Sequence, residues 1–197
     1  MSYQESHLEN VTELLGYLTR GQCFNADGYT LKDGMRDTPR RFLESWRNEL
    51  CAGYDVTDKD IEKMLTTFDG EEYDEIILQR NIIFHSLCEH HCLPFSGIAH
   101  VGYIPNGPVV GLSKLSRLVD VYSSRFQMQE RITTQITDSL NQHLKPKGAA
   151  CILISNHQCV ASRGVYKQGA EMITSSMTGV FRDKPEAREE FLDLIKL

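Results

Sequence analysis

Residues 129–155, QERITTQITDSLNQHLKPKGAACILIS, decide the fold. Ile132, Ile136, Leu140 and Leu144 recur every four residues, which gives a helix from Gln129 to Leu144 one apolar face. Lys145-Pro146-Lys147-Gly148 then stops that helix, because Pro cannot continue the hydrogen-bond ladder. Ala150 to Ser155 follow as a short apolar run, which reads as a strand. A helix therefore hands over directly to a buried strand.

Working outward, helical periodicity also runs from Lys114 to about Tyr122. Before it, Ile76-Ile77-Leu78, Ile82-Ile83-Phe84 and Gly97 to Ile104 read as strands, with Pro105-Asn106-Gly107 as a turn. Gln158 to Val165 reads as the last strand, and a closing helix starts near Pro185 with Phe191, Leu192 and Ile195 on its apolar side. The order strand, strand, helix, helix, strand, strand is an α+β pattern, with helices on one face of an antiparallel sheet. A four-stranded sheet of this size leaves open edges, a liability that pairing between copies would remove. An oligomer is the expectation.

The first third differs. Leu8, Val11, Leu14, Leu15 and Leu18 share one helical face between Glu5 and Arg20. Asp37-Thr38-Pro39 reads as the start of a second helix carrying Phe42, Trp46 and Leu50, and a third spans Asp58 to Thr67. The chain thus divides into an N-terminal helical segment, residues 1–72, and an α+β domain, residues 73–197.

The 197 residues carry a net charge of −6, which argues against a nucleic-acid partner. An anionic small molecule is still allowed, because screening confines exposed charges to about 8 Å at physiological salt. The longest apolar stretch, near Ala149 to Ile154, is too short to span a bilayer. The polar start Met1-Ser2-Tyr3-Gln4-Glu5 carries no signal-peptide pattern, so a cytoplasmic location is the expectation. There the six cysteines stay reduced, and Cys23, Cys51 and Cys151 read as small buried apolar residues.

Two of the remaining cysteines belong to a metal constellation. Cys88-Glu89-His90-His91 and His157-Gln158-Cys159 offer two thiolates and an imidazole, with spare histidines beside them. Zn²⁺ favours such ligands, and three protein ligands leave a fourth position open, which marks a catalytic site. A structural site would recruit a fourth ligand such as Cys92, but Cys92 directly follows His91 and adjacent residues rarely both reach one metal. His90 and His157 are candidate proton carriers, since imidazole titrates near neutrality. His7, His85, His100 and His143 read as ordinary polar residues.

Ser86-Leu87-Cys88-Glu89-His90-His91, Gly111-Leu112-Ser113-Lys114 with Arg117, Gln127 with Gln129-Glu130-Arg131, and His157-Gln158-Cys159 with Arg163-Gly164-Val165 resemble the GTP cyclohydrolase I family. The resemblance runs in order from about Thr38 to Phe181. It implies the T-fold, a ββααββ unit that closes into a barrel by oligomerisation, and a homodecamer with active sites between subunits. It implies Zn²⁺ on Cys88, His91 and Cys159, and acid–base roles for His90 and His157. It places Glu130, with Gln129 beside it, on the guanine edge, and Ser113, Lys114, Arg117, Arg163 and Arg41 on the triphosphate. The implied reaction turns GTP and water into formate and 7,8-dihydroneopterin triphosphate, the first step of tetrahydrofolate and pterin synthesis.

The chemistry suits these residue types. Guanine N1–H and its amine are neighbouring donors that one carboxylate accepts together, and adenine lacks the pair. No Gly-x-x-x-x-Gly-Lys-Ser/Thr loop is present, so the phosphates need side-chain cations, and Arg binds them as a planar fork. Phe126 stands where the family usually has Pro. Alternatives are a T-fold purine or pterin binder with structural zinc, a variant acting on dGTP, and a nitrile reductase of the same fold; the last would need an unliganded nucleophilic Cys.

Overall fold

The computed structural model describes residues 5–197; residues 1–4 of the polar start lie outside them. The chain forms two compact units, residues 5–51 and Ala52–Leu197. In the first, α1 (Glu5–Leu18) buries Val11, and α2 (Thr38–Ser45) begins with Pro39 in its first turn. A single π turn, Trp46–Leu50, ends α2, and Phe42 stacks on Trp46 with ring centroids 4.9 Å apart.

The second unit opens with α3 (Asp58–Met64). Thr57 caps it, accepting from the Asp60 N–H while the Asp60 carboxylate accepts from the Thr57 N–H. Then come β1 (Thr67–Phe68), β2 (Ile77–Cys88), β3 (Pro94–Ile104), β4 (Val109–Val110), α4 (Ser113–Ser123), β5 (Phe126–Gln127), α5 (Gln129–Leu144), β6 (Gly148–His157), α6 (Gln158–Ala161), β7 (Met172–Met177), α7 (Val180–Asp183) and α8 (Pro185–Lys196). The main sheet has the order β5-β2-β3-β6-β7. Its four long strands are antiparallel, and β5 adds a short parallel pairing of Phe126 and Gln127 with Leu87 and Cys88. This is the α+β T-fold class.

The period of two along β6 splits the core. Ala149, Cys151 and Leu153 face α4 and α5, where Leu118, Ile132, Ile136 and Leu140 are fully buried. Ala150 and Ile152 face the other way, toward Phe181 and Phe191 of α7 and α8, whose rings meet edge-on at 5.3 Å. The two long helices thus lie on one face, and α7 with α8 covers part of the other. On the same face Ile83, Ile98, Ile154 and Ile173 stand in register across β2, β3, β6 and β7; Ile154 packs against that cluster, and Ile83, Ile98 and Ile173 are exposed.

Two readings change. The last strand is Met172–Met177, and Gln158 to Val165 begins instead as α6 and continues in turns. The register explains why: His157 pairs with Phe95, and beyond it β3 has only Pro94, which has no N–H to donate, so the pairing of β6 ends there. The sheet also gains β5 as a fifth strand.

Candidate metal centre

Three segments meet at the end of the sheet where β2 and β6 finish. Cys88 is the last residue of β2, and a tight turn follows it: the His91 and Cys92 N–H groups both donate to the Cys88 carbonyl. The turn closes with Cys92 in the left-handed region at φ 54°. Cys159 sits in α6, directly after β6. The ligand atoms of Cys88, His91 and Cys159 all lie within 4.8 Å of one another, with Cys88 Sγ and His91 Nδ1 3.5 Å apart.

The donor set fits zinc. Tetrahedral coordination with ordinary Zn–S and Zn–N lengths sets sulfur and nitrogen about 3.6 Å apart, close to the distance between Cys88 and His91. Cys88 is buried, Cys159 half-buried and His91 exposed, so the cluster opens on one side. Burial and the adjacent Cys88 thiol push the Cys159 thiol up, while Arg163 pulls it down. That places Arg163, itself exposed, within electrostatic reach of the cluster.

Both candidate proton carriers flank it. His90 Nδ1 lies 4.0 Å from Cys88 Sγ, and the His90 side chain is exposed. His157 ends β6 and stacks parallel on Phe95, centroids 4.3 Å apart and planes 6° apart, as their cross-strand register dictates. Burial pushes the His157 imidazole down, and the nearby Glu130 carboxylate opposes this. Glu130 itself is exposed in the first turn of α5. Its neighbour Gln129 is only 1% exposed and bonds entirely within the chain, one of its contacts being His157 Nε2 at 2.9 Å from Gln129 Oε1.

The remaining cations sit elsewhere. Ser113, Lys114 and Arg117 occupy the first two turns of α4, and their side chains make no hydrogen bond or ion pair among the described residues. An unshielded helix start with added cations suits an anion. Arg41 belongs to the first unit, on α2, with Asp37 3.6 Å away.

One linkage is absent from any reading of spacing. The Arg131 guanidinium donates twice to the Glu89 carboxylate and so joins the Cys88–His91 turn to the start of α5. Its hydrogen bonds hold the Glu89 carboxyl below the usual range. The charges stand side by side in both motifs, Glu89 next to His90 and Arg131 next to Glu130, but nothing in their sequence distance pairs them.

The family described as GTP cyclohydrolase I matches residues 24–196. GTP cyclohydrolase 1 of Wolinella succinogenes is 44% identical over 165 residues, covering 84% of this chain and 87% of that protein. The protein of the same name from Mycolicibacterium gilvum is 47% identical over 166 residues, covering 83% and 80%. Among solved structures, the archaeosine synthase QueF-Like in its apo form covers 53% of this chain at a TM-score of 0.44 and 19% identity, too distant to bear on function. With a match across nearly the whole chain and close relatives of one name, the chain belongs to the GTP cyclohydrolase I family of enzymes.

Proposed function

We propose that the chain opens the imidazole ring of GTP by hydrolysis, releases formate and recloses the product to 7,8-dihydroneopterin triphosphate. The observation that carries this reading is the convergence of Cys88, His91 and Cys159 with His90 and His157 beside them, in a member of this family. Cys88, His91 and Cys159 would hold zinc, which lowers the pKa of bound water toward neutrality and so supplies a nucleophile. The catalytic domain on this reading is residues 73–197.

The protein's own groups do the rest. Exposed Glu130 accepts guanine N1–H and the exocyclic amine together. His90 donates a proton to N7 as the C8–N bond weakens, and His157 accepts one from the attacking side. Ser113, Lys114 and Arg117 receive the triphosphate at the start of α4, with Arg163 as a further cation. Among the described residues of one chain no hydrogen bond or ion pair connects the α4 cations to the metal cluster. That supports sites completed between subunits of a homodecameric ring. The outer edge of β7 and the exposed isoleucines of the sheet support the same assembly.

The test uses the full chain purified with zinc and supplied with GTP. Formate and dihydroneopterin triphosphate are followed by mass spectrometry. Equal amounts of both, abolished in Cys159→Ser, support the reading. Binding of GTP with no product overturns it in favour of a binding protein, and turnover of dGTP alone reassigns the substrate.

A further inference from the structure

We propose that Gln129 is a positioning residue that holds His157 as its Nε2–H tautomer and fixes which edge of the ring is turned inward. This rests on the reading of His157 as an acid–base group in the reaction above.

The argument starts from an amide whose orientation is determined. Gln129 Nε2 lies 3.1 Å from the Leu153 carbonyl oxygen and 3.0 Å from that of Met172. Carbonyl oxygens only accept, so the end of the amide facing them is the NH₂ group, and both its hydrogens are engaged. A flipped amide would set its oxygen against two others in a place closed to water. Gln129 Oε1 therefore faces Ser155 Oγ at 2.5 Å and His157 Nε2 at 2.9 Å. An amide oxygen also only accepts, so Nε2 of His157 must carry a hydrogen. The opposite tautomer would point one lone pair at another across 2.9 Å.

The surroundings leave the ring little choice. Gln129 is 1% exposed, Ser155 is 1% exposed, and Phe95, stacked flat on the imidazole, is 1% exposed. The hydrogen bond fixes which edge of the ring points inward, and the stack fixes its plane. In the neutral ring the lone pair is then on Nδ1.

A neutron crystal structure of the metal-loaded full chain, grown in mildly alkaline D₂O, reads this directly. Deuterium on Nε2 with bare Nδ1 supports the assignment. Deuterium on Nδ1 with bare Nε2, or on both, overturns it. Gln129→Met keeps the side-chain length and removes the acceptor. With metal content unchanged, kcat should fall about 10- to 100-fold, while KM for GTP should stay within about twofold. A raised KM with kcat intact would mean that Gln129 touches the substrate, and that also overturns the proposal. Should Gln129→Met fail to fold, the neutron map still decides. Should the unaltered chain release no formate from GTP, the reaction itself is wrong, while the tautomer is still read from the map.

Discussion

Arg131 grips Glu89 with both arms of its guanidinium, Nη1 to Oε2 at 2.5 Å and Nη2 to Oε1 at 3.1 Å. Glu89 lies between Cys88 and His90, and Arg131 follows Glu130. The pair therefore sets the distance between the metal turn and the carboxylate proposed to read guanine. A lysine keeps the charge but cannot form the fork. Arg131→Lys should lower kcat/KM for GTP about tenfold, with a smaller effect on unfolding. Metal content by mass spectrometry and steady-state rates check this; an unchanged kcat/KM would show that the pair is incidental.

Gly97 sits where β3 passes β6 next to the site. A Cβ there would lie 1.9 Å from the Ile154 carbonyl oxygen and 2.6 Å from Ser155 Cα, both backbone atoms that cannot swing aside. Gly97→Ala should force the strands apart and cost about 1–3 kcal/mol or more. Because Phe95 and His157 pair two residues farther along, activity should fall as well. Urea unfolding and formate release check both; wild-type stability would mean that the strands yield freely.

Tyr103 is fully buried, and its hydroxyl accepts from the Val110 N–H at 2.8 Å. That bond anchors the segment running into Ser113 and Lys114. Tyr103→Phe should leave the N–H without a partner, costing about 1–3 kcal/mol. It should also raise KM for GTP more than it lowers kcat. Denaturation and steady-state kinetics separate the two effects, and a stability equal to wild type would count against the anchor.

His100 is buried at 4% exposure on β3, and its Nδ1 has no hydrogen-bond partner among the described residues. Burial, helped by the positive charge of Arg80, pushes its imidazole below the usual range. The unfolded chain then takes up a proton near pH about 6.5 before the folded chain does. Stability should therefore be full above that value and fall as the pH drops through it. His157 is shifted the same way, so the comparison that isolates His100 is wild type against His100→Asn. The variant should show a shallower acid-side loss by urea titration; identical slopes would remove His100 as the cause.

The helix Gln129–Leu144 was legible to the residue because its four-residue apolar repeat is the face that α5 buries. The last strand was not. In Met172–Met177 the residues turned toward α5 are hydroxyls: Thr174 Oγ1 accepts from Thr133 Oγ1 at 2.9 Å, and Ser176 Oγ lies 2.7 Å from Thr137 Oγ1. A strand whose inner face is satisfied by hydrogen bonds has no apolar alternation to read. At the site, the grouping of Cys88, His91 and Cys159 was legible because thiol and imidazole in close spacing have few other uses. The network around Gln129 was not, since its partners Leu153, Ser155, His157 and Met172 become neighbours only when the sheet pairs.

Cys88 and Cys159 stand roughly seventy residues apart, with both long helices between them, so their meeting closes about half of the second unit into one loop. A cation held by that pair is a cross-link as well as a reagent. It can form only where the sheet has already brought the ends of β2 and β6 together, and once formed it opposes their separation. Metal affinity therefore measures how completely the chain has folded, and a chelator added to this protein should act as a denaturant.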